Sequence, residues 1–131
     1  MIGGYLAERM TALNREKRAS AIKFLTDLKD FHGIGARALN PKTKLDEFWK
    51  LETSELFAHL RKNSKILAAG NVRLIDADEE QIRARFEKAK DKLLPLEAQL
   101  IFTDRLIDQI VYRFYQLTEQ EIQLVEEKIK H

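Results

Sequence analysis

The sequence predicts an all-α fold, in which two long helices of about 5–32 and 79–117 form an antiparallel hairpin. Three observations lead to this prediction. Apolar residues recur three and four positions apart in both segments, the chain has only five Gly and two Pro among its 131 residues, and the stretch between the two segments divides into short helical pieces. Long helices joined in this way most simply lie side by side in opposite directions. We therefore expect short helices between the long ones and a short C-terminal helix.

The first long helix is expected from Tyr5 to about residue 32, because an apolar stripe runs along it. The stripe consists of Leu6, Met10, Leu13, Phe24, Leu28 and Phe31. Lys17 and Ser20 interrupt it, so the seam is weaker here than in the second long helix. Gly33 follows and can adopt the left-handed conformation that commonly ends a helix.

Two short helices are expected over residues 44–51 and 54–66. A loop over residues 33–43 precedes them, because a Pro near its end disfavours helical geometry in the residue before it. Either Thr53 or Ser54 is a suitable N-cap for the second short helix.

The second long helix carries the more regular seam. Apolar residues and one Thr alternate four and three positions apart: Ile82, Phe86, Ala89, Leu93, Leu96, Leu100, Thr103, Ile107, Ile110, Phe114 and Leu117. With Asp78 at its start, the helix would run from about 79 to 117 and would be about 58 Å long. Pro95 removes one backbone hydrogen bond, at a cost of about 3 kcal/mol in an unsupported helix. The seam crosses Pro95 unbroken, so a kinked but continuous helix is expected.

A last helix is expected after Thr118, because Thr118 and Glu121 have the spacing of a capping box. Its inward residues would be Ile122, Val125 and Ile129. We expect this helix to fold back and cover the apolar residues that widen the stripe of the second long helix, namely Ile101, Leu106, Val111 and Tyr115.

The composition predicts one domain over residues 1–131, located in the cytoplasm. Apolar residues make up 44% and charged residues 34% of the chain, as in a soluble helical protein. The absence of Cys excludes a disulfide framework and thiolate metal sites. No apolar run approaches the length of a membrane span, about 18 residues, and no signal peptide is found.

The charges are unevenly distributed, although the net charge of +2 is too small to mark a nucleic-acid-binding protein. Residues 1–95 carry 19 Lys/Arg against 14 Asp/Glu, whereas residues 96–131 carry 4 against 7. The candidate nucleic-acid-binding residues lie on the two long helices: Arg15, Lys17, Arg18 and Lys23 on the first, and Arg83, Arg85 and Lys88 on the second. We expect the second group to stay in water, together with Lys90 and Lys92. Ordinary solvated helix faces are the alternative interpretation.

No catalytic residue, cofactor site or metal site is predicted. Residues 31–35 fit the F-x-G-x-G pattern of enzymes that bind S-adenosylmethionine, but that pattern needs a preceding strand and here follows an amphipathic helix. Residues 126–128 match part of a nuclease pattern without its Pro-Asp partner. His59 lies four residues after Glu55, but a metal site needs three or four converging ligands, so a surface histidine is expected. The chain is therefore not expected to be an enzyme.

Four stretches resemble the extreme C-terminal region of type IIG restriction–modification enzymes and related adenine-N6 DNA methyltransferases. The most specific is TDRLIDQIVYRFYQLTEQEI at residues 103–122. The others are AERMTALNREK at residues 7–17, PKTKLDEFW at residues 41–49 and LLPL at residues 93–96. The chain departs from the family at Gln116, where Gly is usual, so the turn before the last helix need not be left-handed here.

The resemblance implies a non-catalytic helical accessory module, because the catalytic motifs of that family lie in upstream domains outside this sequence. In the family, this region supports the target-recognition domain and helps to hold the enzyme around DNA. The implied partners are DNA, contacted through its backbone, and the methyltransferase or target-recognition domain of the same system. No cofactor is implied for this region.

A protein–protein or oligomerisation scaffold without direct DNA contact is the alternative function. The docking surface would then be a seam that one chain does not fully cover, or Tyr112, Tyr115 and their apolar neighbours. The bulky Phe86 and Phe114 argue against a slim two-stranded coiled coil. A monomer or a weak homodimer is therefore expected.

Overall fold

Five α-helices make up most of the computed structural model, which describes residues 2–115 and 118–129. Helix α1 spans Ile2–His32, α2 Thr53–Lys62, α3 Ser64–Ala69, α4 Asp76–Phe114 and α5 Glu119–Ile129. No β-strand occurs within these described ranges. The two long helices, α1 and α4, pack against each other in opposite directions, so the predicted all-α hairpin is confirmed.

Helix α4 begins at Asp76, three residues before the predicted start. The Asp78 Oδ2 atom accepts a hydrogen bond from the Ile75 backbone N–H at 3.3 Å. In a capping box, the backbone N–H of the N-cap residue donates to the side chain of the third helical residue. Asp78 is the third residue of α4, so Ile75 occupies the N-cap position that was expected for Asp78.

Pro95 does not interrupt α4, which confirms the predicted continuity of this helix. Leu93 and Leu96 are buried on either side of it. Burial of each Leu contributes about 1.5–3 kcal/mol, which offsets the missing backbone hydrogen bond. The predicted end of the helix at Leu117, and Gln116 before it, lie outside the described residues.

The chain forms two compact units, both of which contain parts of the long helices. Unit 1 comprises residues 1–14 and 98–131, and unit 2 comprises residues 15–97. Helix α5 belongs to unit 1, whereas α2 and α3 belong to unit 2. The single domain predicted over residues 1–131 stays a prediction.

The core of unit 2 is built around three phenylalanines, one from each long helix and one from the segment between them. The Phe24 ring centroid lies 4.3 Å from that of Phe48 and 5.9 Å from that of Phe86, and the Phe48 and Phe86 centroids are 6.2 Å apart. The Trp49 ring adds an edge-to-face contact with Phe48 at 5.4 Å. All four side chains are buried. Tilted and edge-on aromatic contacts are favoured by the ring quadrupoles, so this cluster stabilises the packing of α1 against α4 in unit 2.

The helix predicted over residues 44–51 is wrong. This segment consists of turns followed by a short 3₁₀ helix at Phe48–Lys50. Phe48 and Trp49 are both buried, and the Phe48 ring contacts the rings of Phe24 and Phe86 from the two long helices. Packing of both rings into the core therefore overrides the helical pattern of the sequence.

The helix predicted over residues 54–66 is divided at Asn63 into α2 and α3. The Asn63 side chain is buried and holds the preceding loop, since its Oδ1 accepts the Asn40 N–H at 2.8 Å and its Nδ2 donates to the Asn40 carbonyl at 3.0 Å. Its Nδ2 also donates to the His59 carbonyl at 2.8 Å. Asn63 thus connects the loop to the end of α2. Periodicity does not show these hydrogen bonds, so it predicts one continuous helix.

The start of α2 also differs from the prediction, which names Thr53 or Ser54 as the N-cap. Glu52 occupies this position, and its backbone N–H donates to the Glu55 Oε1 atom at 3.1 Å. Thr53 and Ser54 therefore lie in the first turn, where the Glu55 carboxylate is also favoured by the positive end of the helix dipole.

Unit 1 contains the first part of α1, the second part of α4 and α5. The Arg9 Nη2 atom donates to the Gln99 Oε1 atom at 3.1 Å across the two long helices. The buried side chains of unit 1 include Leu6, Leu13, Leu100, Thr103 and Tyr112. The predicted capping box of α5 is confirmed, because the Glu121 N–H donates to Thr118 Oγ1 at 3.2 Å and the Thr118 N–H donates to Glu121 Oε1 at 3.2 Å.

Helix α4 exposes more apolar side chains in unit 1 than predicted. Phe114, expected in the seam, is 79% exposed, and Tyr115 is 68% exposed. Contrary to the prediction, α5 also leaves three further residues exposed: Ile101, Leu106 and Val111. Among the described residues, the apolar side chains of α4 in unit 1 are therefore covered only in part.

The side chains of α5 follow the predicted pattern only in part. Ile122 is half-buried, as expected for an inward position, whereas Val125 is exposed. The Ile129 side chain lies outside the described residues. Among the described side chains, α5 therefore buries less apolar surface than the sequence pattern predicts.

His32 and His59 are both buried in unit 2, so the surface position predicted for His59 is wrong. The His59 Nδ1 atom lies 3.4 Å from Asn63 Nδ2, and its Nε2 atom has no hydrogen-bond partner within the described residues. Burial lowers the pKa of His59, and the nearby charges of Lys44 and Lys62 lower the pKa further. Folding therefore favours the neutral form of His59.

Replacing Phe86 by Ala is expected to lower the free energy of unfolding by about 3–5 kcal/mol, because the change removes a fully buried ring and leaves a cavity. Urea denaturation followed by circular dichroism measures this loss. The matched control is Phe31→Ala, since Phe31 is 62% exposed, and its expected cost is under about 1 kcal/mol. Equal losses in the two variants would show that the aromatic cluster is not the centre of the core.

Acidification is expected to destabilise unit 2 through His59. The unfolded chain takes up a proton near the ordinary pKa of 6.5, whereas folded His59 takes it up only at a lower pH. The contribution of His59 to stability is therefore fully present above about pH 6.5, and it is lost as the pH falls from there towards the lower pKa of the folded state. Urea midpoints at about pH 7.5 and about pH 5.5 measure the loss. His59→Gln should reduce the pH dependence and Phe31→Ala should retain it; an unchanged dependence in His59→Gln would contradict this assignment.

Candidate functional site

A groove in unit 2 lies between α1 and α4 and has a volume of about 330 Å³. Its lining combines charged side chains with an apolar floor, and consists of Ser20, Lys23, Phe24, Asp27, Arg85, Lys88, Ala89 and Lys92. The first four residues belong to α1 and the last four to α4. They meet at one groove because residues three and four positions apart share a face of a helix.

The groove carries four cationic side chains and one carboxylate. The Asp27 Oδ2 atom lies 3.3 Å from Lys23 Nζ and 3.5 Å from Arg85 Nη1. Asp27 therefore counters the positive charge at its end of the groove. Lys88 and Lys92, in contrast, form no ion pair within the part of the chain that the structure describes. The positive charge at the lysine end is thus available to a ligand.

Arg85 is held from two sides. Its guanidinium carbon lies 4.1 Å from the centroid of the Phe31 ring, and its Nη1 atom lies beside Asp27. A guanidinium over an aromatic face is stabilised by the ring quadrupole. The prediction that Phe31 packs in the apolar stripe of α1 is wrong, because this exposed ring covers Arg85 instead.

The floor of the groove is apolar and contains one small polar residue. Phe24 is buried beneath it, and Ala89 is half-buried. Ser20 is nearly buried as well, although it interrupts the apolar stripe of α1. A large apolar side chain at this position would fill the space between the helices, so the interruption in the sequence corresponds to the groove in the structure.

The groove brings together three of the seven predicted nucleic-acid-binding residues, namely Lys23, Arg85 and Lys88. Arg15 and Arg18 are exposed on α1 but do not line the groove. Lys92 and Ser20 are groove residues that the sequence-based prediction missed. The signals that could have found them are the spacing of Lys92 four residues after Lys88 and the interruption of the stripe at Ser20.

Lys17 and Arg83 are engaged elsewhere in unit 2. The Lys17 Nζ atom lies 3.8 Å from Glu97 Oε1 and 4.9 Å from the centroid of the Trp49 ring. The Arg83 guanidinium lies 5.1 Å from the centroid of the Phe57 ring. Both side chains therefore contribute to the packing of unit 2 and not to the groove.

Two basic side chains of α4 are less solvated than predicted. The Lys90 side chain is only 20% exposed, and its Nζ atom donates to the Leu51 carbonyl at 2.6 Å. The Arg85 side chain is half-buried between Phe31 and Asp27. The expectation that both stay in water is wrong, because residues from other parts of unit 2 pack against this stretch of α4.

The chain matches the family described as "Domain of unknown function (DUF8810)" over residues 4–111. It belongs to the DUF8810 family. No curated protein and no solved structure matches the chain. The DUF8810 match includes every residue of the groove and ends before Phe114 and Tyr115. The resemblance of residues 103–122 to restriction–modification enzymes stays a prediction.

A second surface of this DUF8810 member lies in unit 1 and is apolar. We call it the apolar end surface and define it by Val111, Phe114 and Tyr115, all exposed. The rings of Phe114 and Tyr115 meet edge to face, with centroids 5.3 Å apart. Tyr112 is only 4% exposed, so its predicted part in a docking surface is wrong, whereas Tyr115 is accessible as predicted.

Carboxylates gather beside α5 in unit 1. Partial burial raises the pKa of Asp108, and the neighbouring Asp104 and Glu126 raise that pKa further.

Residues 2–115 and 118–129 contain no group of three or more His, Asp or Glu side chains that could hold a metal ion. Among the helices of these same ranges, none combines the length and apolar character needed to cross a membrane.

Proposed function

We propose that the chain is a non-catalytic accessory module of a DNA restriction–modification system, and that it contacts the DNA backbone through the groove of unit 2. The observation that carries this proposal is the groove lining, in which four cations meet one carboxylate. Unit 2 carries 18 Lys/Arg against 14 Asp/Glu, a net charge of +4, whereas unit 1 carries 5 against 7, a net charge of −2. A polyanion is therefore attracted to unit 2.

Lys88 and Lys92 are the main phosphate-binding residues of this proposal. An ammonium group attracts a phosphate as a compact point charge, so these contacts position the backbone without reading the base sequence. Lys23 and Arg85 also attract phosphate, but they share the counter-charge of Asp27. The exposed Arg15 and Arg18 of α1 extend the positive surface beyond the groove.

The restriction–modification context is supported by the resemblance of residues 103–122 to the tails of such enzymes. In this proposal, the catalytic motifs belong to a methyltransferase or target-recognition domain of the same system. The module supports target recognition by holding DNA and acts in the cytoplasm, where that DNA is found. Contact with phosphates requires no cofactor.

Binding to a duplex of about 20 base pairs is expected to weaken as the salt concentration rises. If each of the four cations in the groove neutralises one phosphate, the logarithm of the binding constant should fall against the logarithm of the salt concentration with a slope of about −3.6. Fluorescence anisotropy with a labelled duplex, between about 50 and 200 mM salt, measures this slope. The double substitution Lys88→Gln with Lys92→Gln should reduce it to about −1.8.

The matched control is the double substitution Lys29→Gln with Lys65→Gln, which removes the same charge from exposed positions outside the groove. Its slope should stay near that of the unmodified protein. Absence of binding at about 50 mM salt, binding that does not depend on salt, or equal effects of the two double substitutions would contradict the proposal.

A protein–protein interaction scaffold is a second candidate function, favoured by the apolar end surface of unit 1. Large exposed apolar patches are typical of protein interfaces, because their contact with water is unfavourable. Phe114 and Tyr115 are the largest side chains of this surface and are both mostly exposed. A weak homodimer, or a complex with another domain of the same system, would cover these rings without any contact to DNA.

If this second candidate is correct, sedimentation velocity at micromolar concentrations should show a reversible equilibrium between monomer and dimer. Phe114→Ser combined with Tyr115→Ser should shift the equilibrium to the monomer, because the two changes remove the apolar area that association would bury. Phe31→Ser alters an exposed ring of unit 2 and should leave the equilibrium unchanged. A monomer at every concentration would exclude self-association through this surface.

A further inference from the structure

We infer that the groove of unit 2 takes one nucleotide of a single DNA strand, with the base over the apolar floor and the flanking phosphates on the wall formed by Lys88 and Lys92. This inference rests on the proposed function, since it specifies the form of DNA that the same site binds. Four features of the groove support it: its size, its floor, the spacing of its lysines and the position of Asp27.

The size of the groove limits what can enter it. Its volume of about 330 Å³ lies near the lower end of ligand pockets, which run from about 300 to 1,000 Å³. A duplex presents stacked base pairs behind two backbones, so its phosphates could reach the lysines at the rim while the floor stays empty. A single strand has no pairing to break and can place one base in the groove.

The floor offers an apolar surface to the flat face of a base. The half-buried Ala89 and the buried Phe24 both line the groove, so a base lying on this floor would remove apolar surface from water. Every base has such a face, and contacts of this kind are therefore tolerant of sequence. The Ser20 hydroxyl, also in the lining, can donate or accept one hydrogen bond with the edge of the base or with the sugar.

The two lysines are spaced to contact successive phosphates. Lys88 and Lys92 are one helical turn apart, so their backbone positions are separated by about 6 Å along α4. Because α1 and α4 run in opposite directions and Asp27 lies beside Arg85, Ser20 lies opposite the Lys92 end of the groove. Both lysines can therefore reach the phosphates before and after the nucleotide whose base covers the floor.

Asp27 determines where the strand runs. Its carboxylate engages both Lys23 and Arg85, so it weakens the attraction of phosphate to these two cations relative to Lys88 and Lys92. The lysine end has no carboxylate in its lining. The backbone is therefore directed along the wall of Lys88 and Lys92, which leaves the base to enter between the helices.

The test compares a labelled strand of about ten thymidine nucleotides with the labelled duplex by fluorescence anisotropy at about 50 mM salt. The unmodified protein should bind the single strand about tenfold more tightly than the duplex, because contact of the base adds to the attraction between charges. Ala89→Leu fills the floor without changing the charge, so it should lower single-strand affinity about tenfold and remove the preference for the strand over the duplex. The matched control is Ala84→Leu, an exposed position of α4 outside the groove, which should change neither affinity.

A competition experiment on the unmodified protein tests the floor without any substitution, so it does not depend on the folding of Ala89→Leu. Thymidine 5′-monophosphate and inorganic phosphate are each added to the complex with the labelled strand at equal ionic strength. The nucleotide should displace the strand at a concentration about tenfold lower than inorganic phosphate does, because only the nucleotide has a base for the floor.

The outcomes separate this inference from the proposed function. Equal affinity for strand and duplex, tighter binding of the duplex, or equal competition by the two anions would overturn the inference while duplex binding still supports the proposed function. No binding of either DNA at about 50 mM salt would overturn both. Preference for the strand that disappears in Ala89→Leu and persists in Ala84→Leu supports the inference.

Discussion

Contact among the rings of Phe24, Phe48 and Phe86 is the constraint on which unit 2 depends. These rings pack with centroids 4.3–6.2 Å apart between the two long helices, so their bulk sets the separation of α1 and α4 at this level. The side chains of Ser20 and Ala89 are too small to fill the space between the helices at this separation, so a groove remains there. The core and the candidate site are therefore two consequences of one packing arrangement, because the aromatic cluster holds apart the walls that carry the charges.

The long helices could be predicted because their signals are local. The 4-3 seam continues through Pro95, and the Thr118–Glu121 capping box marks the start of α5 in both sequence and structure. Residues 44–51 could not be predicted in the same way, since burial of the adjacent Phe48 and Trp49 depends on rings from distant helices. The exposure of Phe114 likewise depends on which other elements pack against the end of α4, and the periodicity within α4 carries no information about those elements.

The site was predicted in part, for a related reason. Clusters of basic residues on the two long helices are visible in the sequence, and they include Lys23, Arg85 and Lys88. Spacing does not indicate which basic residue meets an aromatic ring from another element, so Lys17 beside Trp49 and Arg83 beside Phe57 were indistinguishable from the groove residues. Both interruptions of the α1 stripe are visible in the sequence, but only the partner helix shows that Lys17 pairs with Glu97 whereas Ser20 leaves a space.

The two walls of the groove differ in conformational freedom. Arg85 is fixed between the Phe31 ring and the Asp27 carboxylate, whereas Lys88 and Lys92 have no ion-pair partner among the described residues to restrict their rotamers. Immobilising a long lysine side chain costs up to about 2 kcal/mol of rotamer entropy. An anion that settles on the lysine wall must therefore order two flexible side chains, while the stacked guanidinium is preorganised before any ligand arrives.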